Sequence, residues 1–116
     1  MNEKTIQTQI HSTLGRRHDL RLFRNHVGKV QDAKGYWHTF GLAPGSADLI
    51  GWQSVKITAD MVGKTVAVFL SIEVKSETGT ARPEQKAWAA CVQKMGGLAG
   101  VAKSVEDAEK ILCSMK

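Results

Sequence analysis

Residues 65–75, Thr65-Val66-Ala67-Val68-Phe69-Leu70-Ser71-Ile72-Glu73-Val74-Lys75, decide the fold. Side chains alternate along an extended chain, so Val66, Val68, Leu70, Ile72 and Val74 share one face. The other face begins with Ala67 and Phe69, then turns to Ser71, Glu73 and Lys75. A strand apolar on both faces belongs in the centre of a sheet that is covered on both sides. Charge is costly to bury unless it is paired or bound to a metal. Glu73 and Lys75 therefore read in one of two ways. They are an ion pair where the strand leaves for solvent, or a site at the end of a core strand.

Downstream, Pro83 suits the first position of a helix. Trp88, Val92 and Met95 form the buried stripe of that helix, and Gly96-Gly97 ends it. Gln85 lies three residues before Trp88 and faces the same way. An inward amide in a first turn has a use if it reaches the ionic site. Leu98–Ala102 reads as a short strand. Ser104-Val-Glu-Asp107 then resembles a capping box before a last amphipathic helix carrying Val105, Ala108, Ile111 and Leu112.

Upstream, Gln53–Lys64 is irregular and polar, with a bend at Ala59-Asp60. Asp48-Leu-Ile-Gly-Trp52 reads as a strand with an acid at its mouth. The tight loop Gly41-Leu-Ala-Pro44-Gly45-Ser46-Ala47 delivers it. Asp48 is either a turn-closing residue or a second site carboxylate. Two carboxylates on adjacent strand ends repel unless a divalent cation lies between them.

Asn2 can cap a helix from Glu3, with Ile6, Ile10 and Leu14 on one face and Gly15 at its end. Glu3 and Gln7 lie beside that stripe, either solvated or reaching inward. Leu20–Val27 reads as one strand, broken by Gly28. Asp32-Ala-Lys-Gly35 is a turn signal before the aromatic strand Tyr36–Phe40. The aromatics there suit either packing, a dimer contact or a nucleic-acid surface. The resulting order is α-β-β-β-α-β-α, an α/β fold in a single domain of residues 1–116.

Composition limits the alternatives. A chain of 116 residues supports one core. No apolar run approaches the roughly 20 residues of a membrane span, and the N-terminus has no signal-peptide core. Cys91 and Cys113 are too few for a disulfide framework or a zinc cluster, so free thiols and a cytoplasmic location are expected. The net charge of +5 is uneven. Residues 1–44 hold seven basic residues (Lys4, Arg16, Arg17, Arg21, Arg24, Lys29 and Lys34) against Glu3, Asp19 and Asp32. That half reads as solubility charge or as a surface for a polyanion such as nucleic acid.

Asp48, then Glu73-x-Lys75, then Gln85 on the next helix resembles the PD-(D/E)XK nuclease superfamily. Phe23-Arg24-Asn25, Gly28, Phe40-Gly41, Pro44-Gly45-Ser46-Ala47-Asp48-Leu49-Ile50-Gly51, Ile72-Glu73-Val74-Lys75 and Arg82-Pro83-Glu84-Gln85 narrow it. Together they are similar to the virus-type replication-repair nuclease (VRR-NUC) domain, in the stand-alone form found in phages. Ala47 stands where the family usually has Pro before the acid, and Arg82 stands where a small polar helix cap is common.

The resemblance implies a restriction-endonuclease-like mixed central sheet flanked by helices. It implies a metal-dependent, structure-specific DNA endonuclease acting as a homodimer on branched DNA, such as four-way (Holliday) junctions or flaps, in repair or recombination. A viral chain would work in the host-cell cytoplasm. Asp48, Glu73, Lys75 and Gln85 are implied as catalytic. Asp48 and Glu73, with the Val74 carbonyl and Glu3 as further candidates, are implied to hold Mg²⁺, for which Mn²⁺ would substitute. Arg16, Arg17, Arg21, Arg24, Asn25 and Lys29 are the expected DNA contacts. The alternatives are an inert nucleic-acid-binding module and a restriction-type nuclease with the same site.

Overall fold

The computed structural model describes residues 2–114. The chain forms two compact units, Met1–Val55 and Lys56–Lys116. Its class is mixed α/β, with three helices and small sheets.

The first unit opens with α1 (Glu3–Leu14). The Asn2 side chain caps it by accepting from the Thr5 amide at 2.8 Å, and Gly15 ends it. His11 Nε2 lies 3.0 Å from the Leu22 carbonyl and ties α1 to β1 (Leu20–Arg24). Antiparallel to β1 runs β4 (Leu49–Gln53), with Leu22 opposite Gly51 and Arg24 opposite Leu49. Phe23 packs on Trp52, with ring centroids 5.5 Å apart.

A separate ribbon pairs β2 (Gly28–Gln31) with β3 (Trp37–Phe40). Here the expected single strand Leu20–Val27 is corrected. It stops at Arg24, and Gly28 opens a strand of its own. Gly28 lies under the Phe40 ring, where a Cβ would come within 2.5 Å of Cζ. The bare glycine backbone is what lets that aromatic close the ribbon.

The ribbon turn rests on Asp32. Its Oδ1 accepts from the Lys34 and Tyr36 amides at 2.9 Å each, and its Oδ2 lies 2.7 Å from His38 Nε2. Gly35 supplies a positive φ of 90°. The His38 hydrogen bond, helped by the Tyr36 amide, holds the Asp32 carboxyl below its ordinary range. A carboxyl lowered on folding stabilises above its ordinary pKa, and that contribution is lost as pH falls through the lowered value. The ribbon should therefore keep its order at neutral pH and loosen below about pH 4. NMR shifts of Tyr36 and Trp37 across an acid titration check this, and Asp32→Asn should erase the transition.

The second unit is built on a parallel pair, β5 (Leu70–Val74) and β6 (Leu98–Ala102), with Ser71 opposite Ala99 and Glu73 opposite Val101. The crossover is α2 (Pro83–Lys94), and α3 (Val105–Leu112) follows β6. Parallel strands need such a crossover. Phe69, Ser71 and Glu73 face α2, as the Phe69–Trp88 ring contact and the Trp88–Ser71 hydrogen bond show. Gly100, on the other face, lies under Ile111 of α3. Val92, Ala99, Ala102 and Ile111 are buried and form the core. Ile111→Ala should cost about 2–4 kcal/mol of unfolding free energy, read from urea melts.

The strand predicted over residues 65–75 is shorter than expected and only half-buried. Val66 and Val74 are exposed, and none of residues 65–69 is in a ladder. A strand persists where a neighbour pairs with it, and β6 offers five residues. Five strands precede α2 among the described residues, against four segments read as strands from the sequence and three in the order α-β-β-β-α-β-α, and the described ladders are two-stranded.

Candidate active site

The residues expected to carry the chemistry fall into two sets, each in its own unit. In the second unit, Ser71, Glu73, Glu84, Gln85, Trp88, Ala89, Gly100 and Val101 line a cavity of about 290 Å³. Strand alternation puts Ser71 and Glu73 on the face that α2 covers. Helical spacing puts Gln85, Trp88 and Ala89 on the covering side. Trp88 Nε1 donates to Ser71 Oγ at 2.8 Å. That bond fastens the helix carrying Gln85 to the strand carrying Glu73. Ser71, Trp88 and Glu84 were not singled out from the sequence as site residues. The Ser71–Trp88 pair is a tertiary contact across 17 positions, which no local pattern signals.

Lys75 follows directly after β5, and its Nζ lies 3.6 Å from Glu73 Oε2. The lysine side chain is 21% exposed and the glutamate 38%. A half-exposed ion pair is worth at most about 1 kcal/mol to the fold. Both groups are accessible to a ligand.

Gln85 has a second task. Its Oε1 accepts from the Arg82 amide at 2.9 Å and so caps α2. The Arg82 side chain has no acceptor and pairs with Glu84 at 3.2 Å instead. The cap that Arg82 cannot supply thus comes from the residue three positions later. With the carbonyl oxygen engaged, the Gln85 amide NH₂ is the group it can offer to the cavity.

In the first unit, Asp48 is exposed immediately before β4. Its loop is organised by Asn25. The Asn25 Nδ2 donates to Ser46 Oγ at 2.7 Å and to the Ala47 carbonyl at 2.9 Å, and its Oδ1 accepts from the Leu42 amide at 3.0 Å. The Asn25 amide also donates to the Asp48 carbonyl at 2.8 Å. Asn25, expected among the DNA contacts, thus has its side chain engaged inside the protein, where it positions the Asp48 loop.

The expected basic contacts Arg16, Arg17, Arg21, Arg24 and Lys29 are all exposed. Arg16 and Arg21 line an open groove with His11, Ser12, Gly15 and Leu22. Arg17 forms a two-pronged pair with Asp19, at 3.0 and 2.7 Å, and this holds the Asp19 carboxyl below its usual range. Its charge is therefore partly answered within the chain. Glu3 is exposed in the first turn of α1. Trp52 is half-buried against Phe23.

Each unit offers oxygen donors of the kind a hard cation takes, Asp48 in the first and Glu73 with the Val74 carbonyl in the second. Among the described residues no group of three or more His, Cys, Asp or Glu is clustered for a metal ion. Mg²⁺ does not require one, since it binds through one or two carboxylates and keeps its waters or substrate phosphates.

The family model for the VRR-NUC domain matches residues 1–106. The chain belongs to the VRR-NUC family. It is therefore a nuclease-type domain. No curated protein and no solved structure matches the chain significantly. The match takes in both residue sets of this VRR-NUC domain, Asp48 with its loop in one and, in the other, Glu73 and Gln85 at the cavity with Lys75 beside Glu73. Cys91 and Cys113 are free thiols. No helix among the described residues is long and apolar enough to cross a membrane.

Proposed function

We propose that this VRR-NUC domain is a metal-dependent, structure-specific DNA endonuclease that hydrolyses phosphodiester bonds in branched DNA, such as four-way junctions or flaps. The observation that carries the reading is one cavity shared by Glu73 and Gln85, with the Lys75 ammonium beside Glu73. Family membership across residues 1–106 supports treating the two units as one functional domain of residues 1–116.

Asp48 and Glu73 would hold Mg²⁺, with Mn²⁺ substituting and the Val74 carbonyl and Glu3 as further ligands. When bound, the cation polarises the scissile phosphate and lowers the pKa of a coordinated water. The Lys75 ammonium stabilises the negative charge that develops on the phosphate, or orients the attacking water. The Gln85 amide donates to the same phosphate or orients that water. The half-exposed Trp88 and its bond to Ser71 keep Gln85 over Glu73. Arg16 and Arg21 take backbone phosphates along their groove, which makes binding salt-dependent. Uncatalysed phosphodiester hydrolysis is so slow that a barrier reduction on the order of 15–20 kcal/mol is needed. Charges aimed at one phosphate supply the largest share of it.

A homodimer follows from substrate symmetry, because a four-way junction offers two equivalent strands to a two-fold enzyme. The phage-type, cytoplasmic setting belongs to the same reading. The test is cleavage of matched linear, flap and four-way substrates by the full chain with Mg²⁺ or Mn²⁺. Branched substrates should be nicked at least about tenfold faster than linear duplex, a difference of about 1.4 kcal/mol in barrier. Binding of junctions with no cleavage under either metal would leave only the inert-module alternative.

A further inference from the structure

The β2–β3 ribbon carries a second feature. Its register places Lys29 opposite Thr39 and Gln31 opposite Trp37. Cross-strand partners lie on the same side of a sheet, so Lys29, Gln31, Trp37 and Thr39 share one face. That face is open to solvent, and Trp37 is 66% exposed. The opposite face holds the ribbon's own packing, with His26 stacked on Phe40 at 5.5 Å and 23° and Gly28 beneath the Phe40 ring. At the turn, Tyr36 is also 68% exposed.

The charge on the ribbon is one-sided. Asp32 is its only acid, and His38 and two backbone amides engage it. Among the described residues neither Lys29 nor Lys34 forms an ion pair. An indole left in water on a face that carries one unpaired lysine, next to a turn that carries another, is a poor hydrophobic contact and a good base-stacking platform. A two-fold contact between copies through this face would bring like charges together, and lysine is depleted at the core of such contacts. The complementary partner is a polyanion with exposed π-faces.

We propose that this ribbon is a second DNA contact, in which Trp37 stacks on an unpaired or unstacked base while Lys29 and Lys34 take the flanking phosphates. The proposal rests on DNA being the substrate and deepens that reading. It makes the ribbon a device for preferring branched or single-stranded DNA over continuous duplex. Stacking tolerates any base, so no sequence preference follows from it.

The test uses the full chain labelled with 5-fluorotryptophan, without metal ion. The three tryptophan resonances are assigned by single Trp→Phe substitutions. A Y-branched oligonucleotide should shift the Trp37 resonance saturably, and a blunt duplex should leave it nearly unmoved. Trp37→Ala should weaken binding of the branched DNA about tenfold and of blunt duplex less than twofold. Trp37→Phe should retain most of the affinity, and circular dichroism should show both variants folded. Lys29→Gln should lower the salt dependence of binding by about one phosphate contact.

A Trp37 resonance that moves with protein concentration in the absence of DNA would make the ribbon a contact between copies and overturn the proposal. An unmoved resonance with intact DNA binding and cleavage would overturn the ribbon's role and leave the nuclease reading standing. Failure to bind any DNA, branched or duplex, would remove both.

Discussion

Replacing Glu73 with alanine should lower the nicking rate on a branched substrate by about 1,000-fold, with the urea unfolding curve nearly unchanged. The rate figure follows from removing one preorganised electrostatic group from a phosphate-processing site, a loss on the order of 10²–10³. The small stability effect follows from the position. The Glu73 side chain is 38% exposed, at the penultimate residue of β5, and is paired only loosely with Lys75. Substitutions at such places usually stay within about 0.5 kcal/mol. Glu73→Gln is the sharper version, because it keeps the shape and removes the charge. Single-turnover nicking and equilibrium unfolding of the same preparations check the two halves. If Glu73 were merely closing a surface ion pair, both variants would cut at the wild-type rate.

Lys75→Met should have the second-largest effect, a loss of about 100- to 1,000-fold in the chemical step. Methionine keeps the stem of the side chain, so packing around β5 is preserved. The pair with Glu73, at 3.6 Å and part-exposed, contributes at most about 1 kcal/mol to stability. The melting curve should therefore barely move. DNA affinity measured without metal should change far less than the rate, since one ammonium among many basic groups adds little to binding. A variant that binds weakly but cuts normally once saturated would make Lys75 a phosphate-binding residue and no more.

Much of this arrangement was legible in the chain. The Asn2 cap, the Asp32–Gly35 turn and Pro83 at the head of a helix rest on local chemistry, and the structure has each. Ser104 also caps its helix, accepting from the Asp107 amide at 3.1 Å, while the Asp107 carboxylate reaches the Lys103 amide. Strand alternation put Phe69, Ser71 and Glu73 on one face, and the helix that covers that face was readable from Trp88 and Val92.

The misses have physical causes. The strand Thr65–Lys75 was read too long because its apolar run says nothing of how many residues a partner will pair. Gly-Lys-Val-Gln at β2 was missed because one valine gives no alternation. Leu20–Val27 reads as one strand broken by Gly28, whereas β1 ends at Arg24 and the Asn25 side chain braces the Asp48 loop. Arg82 stands where a small polar cap is common, and the compensating bond comes from Gln85, a residue read for a different role. Asp48 and Glu73 lie far apart in the sequence, and no local pattern pairs them.

The most direct measurement is a double-mutant cycle on Mn²⁺ affinity, using the wild type, Asp48→Asn, Glu73→Gln and the double variant. A shared cation predicts that each single change weakens binding at least about tenfold, and that the double variant is little worse than either alone. Wild-type affinity in Asp48→Asn, or two losses that simply multiply, would contradict it.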